Sequence, residues 1–356
     1  MKQILCLSAQ PWSTVPTRTQ QLMTRLKNAK ILFLNPPTRN YRKPGRKVRP
    51  GLTVYSMPPS PKAVEEKLVR LFRARRQIRY LLKLMDTYRF REPLLWCTAP
   101  EQVHLLDAIP HSGLVYDCGQ DWLDSPPEWE SELTLAADVV FAASAGLADH
   151  LSPCSDNIAL LPNGVSYPMF SRTSAECPPA LADVTGPVLG FTGTLWEDLD
   201  LTPVIQAARA LPHCTFVFVG KREYNPRGRT LESLPNVRIL GRQLPVDIPD
   251  YLARFDVCLH LQRRSDYGGD IVPSRIYEYM ASGKPIVAMV YPDQVEHFPD
   301  VIYAAHTPGE FIRLCVRALD EPAGWPAQRR RDHAAAAAWS LRAKQVVQIL
   351  TANGLY

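Results

Sequence analysis

The chain has 356 residues, 46% of them hydrophobic and 21% charged, with a formal net charge of +6. That is enough material for two α/β domains of ordinary size, and the balance excludes a disordered or fibrous protein. No stretch approaches the roughly eighteen apolar residues a membrane span needs, and the apolar run after Lys2 is too short for a signal peptide. The eight cysteines are scattered with no Cys-x-x-Cys pair, mostly in apolar runs. They read as buried free thiols in a reducing compartment, so no metal site and a cytoplasmic setting are expected.

Ile4–Ser8 reads as a short buried strand, Thr17–Lys27 as a helix and Lys30–Leu34 as the next strand. From Val64 the apolar residues recur at helical spacing through Met85, with Lys67, Arg70, Arg73, Arg76 and Lys83 on the remaining surface. Leu94–Cys97, Leu114–Asp117 and Asp138–Ala142 read as strands, and a helix is expected from Ser144 through Asp149. Ile158–Leu161 runs into a turn at Pro162-Asn163-Gly164-Val165. Residues 169–187 carry Pro178, Pro179 and Pro187 with weak periodicity and are expected to link two domains. A second series follows: strand Val188–Thr192, helix from Leu201, strands Thr215–Val219 and Val237–Leu240, helix Pro249–Arg254 and strand Val257–Leu261. Strand Ile286–Val290 and helix Phe311–Leu319 come next, and a final Ala-rich helix is expected over about 328–350, containing Trp339. Short apolar runs alternating with helical patterns predict parallel sheets with crossover helices. The expected bounds are 1–168, a linker at 169–187, 188–327, and a closing helix at 328–356.

The charge is unevenly placed. Residues 39–49 carry six bases and no acid, and residues 62–91 carry ten bases against Glu65, Glu66 and Asp86, so the rest of the chain is net acidic. A basic stretch of this kind asks for an anionic partner. The aromatic interleaving of a nucleic-acid platform is missing, so nucleic acid is not expected. An amphipathic helix beside such bases suits an anionic membrane surface, or is simply a solvated face.

The most informative run is Gly268-Gly269-Asp270-Ile271-Val272-Pro273-Ser274-Arg275-Ile276-Tyr277-Glu278-Tyr279-Met280-Ala281-Ser282-Gly283-Lys284-Pro285-Ile286-Val287-Ala288. It reads as loop, helix and buried strand. Pro273 presets the φ of a first helical turn, and Gly283 is expected to cap the helix in the left-handed region. The helix N-terminus then offers free N–H groups to a phosphate, with the carboxylates of Asp270 and Glu278 beside it for hydroxyls. The alternative is a solvated helix start in an ordinary α/β domain.

With its acidic residue, seven-residue gap, glutamate and Ala-x-Gly-x-Pro, this run resembles the donor motif of GT-B glycosyltransferases. The likeness is to the family 4 type, in the branch that builds bacterial surface polysaccharides such as teichuronic acid. Asp270 stands where the family usually has Glu. Leu114–Asp117 with Asp121-Trp122, Ala136–Phe141 with Ser144, Leu161–Val165, Gly190–Thr194 and Asn236–Gly241 are similar to the same family, so the resemblance spans about residues 8–320.

It implies an α/β GT-B fold of two Rossmann-like domains facing across a cleft, with residues 328–356 a candidate for crossing back to the first. It implies a metal-independent enzyme moving a sugar, with retention, from a UDP- or GDP-linked donor to a glycan or polyprenyl-linked acceptor, with no cofactor. A nucleotide-sugar 2-epimerase on the same fold and a non-catalytic partner of another transferase are the alternatives. Glu278 matches the ribose-binding glutamate and Asp270 the acidic residue near the sugar. Gly193, Thr194, Gly269, Ile271 and Val272 match backbone that approaches the diphosphate, or plain turns. The family commonly has an Arg and a Lys after this glycine, whereas Leu195–Asp200 has no base. Arg275 is therefore the first candidate to offset the charge of the leaving diphosphate, with Arg263, Arg264, Lys221 and Arg222 behind it. Arg242 lies where the family meets the nucleotide base. Asp117, Asp121, Trp12 and Arg18 are candidates on the acceptor side, each with packing or surface exposure as the plain alternative.

Overall fold

The computed structural model describes residues 1–59, 67–172, 176–195, 199–261, 270–289 and 298–356. It divides into two compact units, Met1–Pro162 with Arg342–Tyr356, and Asn163–Leu341.

The first unit contains β1 (Lys2–Leu7), α1 (Arg18–Arg25), β2 (Ala29–Asn35), β3 (Arg46–Arg49), β4 (Leu52–Ser56), α2 (Lys67–Tyr88), β5 (Leu94–Cys97), β6 (Gly113–Cys118), α3 (Pro127–Ala136), β7 (Val139–Ala142), α4 (Ala145–Leu151) and β8 (Ile158–Leu160). Its strands line up as β3-β4-β2-β1-β5-β6-β7-β8. All neighbours are parallel except β3, which runs antiparallel along the edge. β5, β6 and β7 are buried along their whole length, as a sheet covered on both faces requires. α1 starts at a full capping box, in which the Thr17 hydroxyl accepts from the Gln20 N–H and the Gln20 side chain reaches back to Thr17.

The second unit contains α5 (Tyr167–Phe170), β9 (Val188–Thr192), α6 (Thr202–Ala210), β10 (Thr215–Val219), α7 (Gly228–Glu232), β11 (Val237–Ile239), α8 (Ile248–Arg254), β12 (Val257–His260), α9 (Ser274–Ser282), β13 (Ile286–Met289), β14 (Ile302–Ala305), α10 (Pro308–Leu319), α11 (Trp325–Ala336) and the start of α12 (Trp339–Ala352). The order β11-β10-β9-β12-β13-β14 is the doubly wound arrangement, reversing direction between β9 and β12. In such sheets ligands settle at the carboxyl ends of the strands beside that reversal. Two apolar clusters cover the two faces. One gathers Val188, Val217, Cys258, Ile276 and Ile286. The other gathers Leu189, Phe191, Phe216, Phe218 and Val287. The alternation along β9, Val188 to one side and Leu189 to the other, is the period-two pattern of a strand buried on both faces.

Four expectations change. Strands β3 and β4 occupy 46–56, where the bases of β3 disguise an edge strand as a charge run; charged edges of this kind deter pairing with other chains. The stretch 169–187 is no free linker, because Phe170, Leu181 and Val184 are buried in the same core as β9, and the units divide at Pro162. The single closing helix is two, α11 and α12. The Val165 N–H donates to Ala337 O at 3.0 Å and the Trp339 N–H to Val165 O at 3.0 Å, so a strand-like bridge takes the backbone groups that would have continued the helix. Cys177 is exposed and Cys154 half-buried, while the other six cysteines are buried. Val64 and Val290, expected in a helix and a strand, lie outside the described residues. Among the described residues no helix is long and apolar enough to cross a membrane.

Candidate functional site

The site candidates in the second unit collect where β9, β10 and β11 end. Each of these strands is followed by a glycine with positive φ: Gly193 at +135°, Gly220 at +153° and Gly241 at +66°. The first two cannot be replaced quietly. A Cβ on Gly220 would sit 1.9 Å from the Gly193 carbonyl oxygen, and one on Gly193 would sit 2.9 Å from Arg275 Nη1. The Gly193 N–H donates to Val219 O at 2.8 Å and the Gly220 N–H to Gly241 O at 2.8 Å. The three loop starts are thus tied side by side, with the Arg275 guanidinium over Gly193 and the Gly193 backbone against Gly220.

Onto this edge the sequence delivers α9. Pro273 is its N-cap in extended backbone, one residue earlier than a first-turn proline, and Gly283 closes it at φ 79° in the left-handed region, as expected. Ile276, Tyr279 and Met280 form the buried stripe at helical spacing. The Thr192 N–H donates to the Tyr279 hydroxyl oxygen at 2.8 Å, which fastens the helix to the end of β9. The far end is fastened too. Arg330 of α11 is 1% exposed, donates through Nε to Val301 O at 2.8 Å and through Nη1 to Gly283 O at 3.2 Å, and forks onto the Glu321 carboxylate at 2.6 and 2.5 Å.

Arg275 and Glu278 occupy another face of the same helix, three positions apart. The Arg275 guanidinium lies over the Phe191 ring at 4.5 Å, and its buried Nη1 has no hydrogen-bond partner among the described residues. Both side chains keep some exposed surface, yet their ionisable ends are enclosed enough for burial to govern titration. Burial pushes the Glu278 carboxyl up to about 7, against the pull of the Arg275 charge. Burial lowers Arg275 from its ordinary value, against the favourable influence of Tyr279 and Glu278. Burial likewise raises the Tyr279 phenol.

The remaining candidates fall out as follows. Asp270 is a part-exposed turn residue just before α9, with Ile271 part-exposed and Val272 buried after it. The Asn163 amide donates to Val272 O at 3.1 Å and steadies that approach. Thr194 is part-exposed beside Gly193. Lys221 is exposed and paired with Glu223 at 2.5 Å, and Arg222 is paired with Glu232. Arg242 is exposed beyond Gly241. Gly269, Arg263 and Arg264 lie outside the described residues.

Asp121 is in the first unit, three residues past β6. Asp117 and Arg18 are bound to each other: Arg18 Nε and Nη2 meet Asp117 Oδ1 at 2.9 and 2.8 Å. Trp12 packs edge-on against Phe33 at 4.9 Å with Arg46 over its ring at 6.0 Å. Among the described residues no cluster of His, Cys, Asp or Glu is arranged to hold a metal ion. Sequence reasoning missed Tyr279, Phe191 and Gly220. The Tyr-Glu-Tyr pattern and the glycine closing an apolar run were the available signals.

Residues 186–321 match the family described as glycosyl transferases group 1. The chain is 26% identical over 281 residues to TuaH of Bacillus subtilis (strain 168), provisionally named a teichuronic acid biosynthesis glycosyltransferase. That alignment covers 71% of this chain and 70% of the relative. Among solved structures, sucrose-phosphate synthase from Thermosynechococcus elongatus superposes with a TM-score of 0.79 at 15% identity, over 99% of this chain and 98% of that one. A structure described as trehalose-6-phosphate from E. coli bound with UDP-2-fluoro glucose gives 0.76 at 12%, over 98% and 99%. The chain is a glycosyltransferase of GT-B fold, and its residues 186–321 are a group 1 glycosyl transferase domain.

Proposed function

We propose that the second unit binds a nucleotide diphosphate sugar at the carboxyl edge of its sheet. The enzyme then passes the sugar, with retention, to a glycan or polyprenyl-linked acceptor in surface polysaccharide synthesis. The observation that carries this reading is Glu278, an enclosed carboxylate one turn into a helix whose first-turn Arg275 side chain lies against Gly193. A carboxylate there accepts both ribose hydroxyls. Asp270 takes sugar hydroxyls. The diphosphate lies along Gly193, Thr194 and the backbone of Asp270–Val272, with Gly269 assigned to it from the sequence alone and Lys221 and Arg242 at its margin. Asp121 belongs to the acceptor side. The resemblance to a surface-polysaccharide transferase supports the acceptor class.

A thermal-shift panel of UDP, GDP and ADP tests the donor site. One base at a hundredfold over its dissociation constant stabilises the wild type by about 2.7 kcal/mol. Glu278→Ala loses that shift, and no shift with any nucleotide overturns the reading. Nucleoside diphosphate release that needs no acceptor would point instead to an epimerase. Activity is expected to survive chelation of divalent metal.

The basic 39–91 region is proposed to hold the enzyme on the inner, anionic membrane face. The exposed β3 supports this, as does Tyr41, whose hydroxyl accepts from Arg76 Nη2 at 2.7 Å and Arg42 Nε at 3.1 Å, gathering positive charge at one spot. Co-sedimentation with anionic but not neutral liposomes at low salt tests it, and indifference to both refutes it.

A further inference from the structure

We propose that a pit in the first unit, on one face of β2, β4 and β3, is a binding site for a phosphate monoester held by Lys30, Lys47 and Thr53. All its residues belong to the first unit, so it does not depend on the nucleotide-sugar reading.

Strand register builds the pit. Leu32 of β2 stands opposite Thr53 of β4, and Thr53 stands opposite Lys47 of β3. Residues opposed across neighbouring strands share a face, and Lys30, two residues before Leu32, shares it too. Two residues before Lys47 and Thr53 the chain has Gly45 and Gly51, so no side chains fill the space beside that row. A cavity of about 280 Å³ opens there, with Tyr88 and Phe90 on its wall and no Asp or Glu lining it. A Cβ on Gly45 would come within 2.3 Å of the Tyr55 ring, whose hydroxyl is 3.0 Å from that of Tyr88. The bare backbone at 45 is what lets Tyr55 reach Tyr88.

The charges in the pit are arranged for an anion. Lys30 is set in place: its Nζ donates to Tyr88 O at 2.5 Å and lies 5.3 Å over the Phe90 ring, which uses one of its three N–H donors. Lys47 is exposed, and among the described residues neither its Nζ nor the Thr53 hydroxyl has a hydrogen-bond or ion-pair partner. Two ammonium groups and a hydroxyl around a space without carboxylates suit a phosphate monoester, with its charge of about −1.5 to −2 near neutral pH. The run 39–49, with six bases and no acid, raises the potential at the mouth. The volume falls just short of the roughly 300 Å³ at which ligand pockets begin, so the phosphate is carried on a short carbon body.

Lys30 and Thr53 are the second residues of their parallel strands, which puts the pit toward the amino end of the sheet. Substrates of such sheets settle at the carboxyl ends, so the ligand held here is not a reactant. The same chemistry has two sources. One is a lipid headgroup, which would anchor the enzyme, and the other is a soluble sugar or glycerol phosphate.

Calorimetric titration with glycerol 3-phosphate, and co-sedimentation with phosphatidylcholine vesicles containing phosphatidic acid, tell the sources apart. Lys47→Met removes an ammonium from the pit. Lys43→Met removes the same charge from the same basic run, at a residue that does not line the cavity. With a soluble source, glycerol 3-phosphate binds the wild type, Lys47→Met weakens it about tenfold, and Lys43→Met leaves it within about twofold. With a lipid source, the same contrast appears on the phosphatidic acid vesicles alone. Lys30→Met is expected to repeat the Lys47→Met result, with melting curves confirming that each variant is folded. Equal weakening by Lys43→Met and Lys47→Met on whichever probe is held is the mark of a diffuse basic surface and overturns the proposal. So does a wild type that holds neither probe.

Discussion

Each unit sets an arginine in the first turn of a helix, against a glycine that follows a strand, and the two arginines meet opposite fates. In the first unit Arg18 opens α1, and a Cβ on Gly119 would come within 3.0 Å of its Cδ. Its charge is consumed internally: Nη2 meets Asp117 Oδ1 at 2.8 Å, with the two side chains 11% and 0% exposed. In the second unit Arg275 opens α9 against Gly193, stacks on a ring, and keeps a buried donor unmatched. Similar placement therefore does not mean similar work. A first-turn arginine with a carboxylate is part of the frame, whereas Arg275 has no such ion pair among the described residues.

The largest test of that contrast is to remove each charge. Arg18→Met strands a buried carboxylate and is expected to cost about 3–5 kcal/mol in urea unfolding. Arg275→Met strands no paired group and is expected to stay within about 1 kcal/mol of the wild type. Equal losses would break the comparison. Gly193→Ala attacks the cradle instead of the charge. Its positive φ and the Arg275 contact predict a loss of about 1–3 kcal/mol, together with weaker nucleotide binding in the same thermal-shift assay.

pH sharpens the picture further. The Glu278 carboxyl is raised from 4.5 to about 7, so between those values the folded protein keeps a proton the unfolded chain gives up. Stability of the unliganded protein should fall as pH rises through that window, and Glu278→Gln should remove this component. If the carboxylate form takes the ribose, nucleotide affinity should climb toward about tenfold per pH unit below the folded pKa and level off above it. The smallest effect is expected at Lys221→Ala. Its pair with Glu223 is largely exposed, and its loss should cost less than about 1 kcal/mol by thermal melting.

Much of the second unit was legible because its signals are local. A short continuous apolar run marks β9, the i, i+3, i+4 stripe of Ile276, Tyr279 and Met280 marks α9, and Gly283 marks the cap. The burial of Glu278 was less so. Three residues from Arg275 it reads equally well as a solvated helix pair, and only the enclosure at the strand ends distinguishes the two. The break at Ala337 was invisible in a run of alanines, because its cause is Val165, far away in sequence. β3 was hidden by its own bases, since an edge strand need not show an apolar face. Tyr279 gave no chemical hint because its task is to accept one N–H from Thr192.

The boundary inside α12 has a consequence for how the protein is made. Residues 342–356 belong to the first unit, where Gln345 donates to Leu160 O at 3.0 Å, Asn157 to Asn353 Oδ1 at 2.9 Å, and Leu355 packs over Gly113. Domains usually mature in the order in which the ribosome delivers them. Here the order inverts. The second unit is one continuous segment and has all its residues first, while the unit that holds residues 1–162 stays open until residues 342–356 have been made. A nascent chain halted near residue 341 should carry a finished second unit and an unfinished first one.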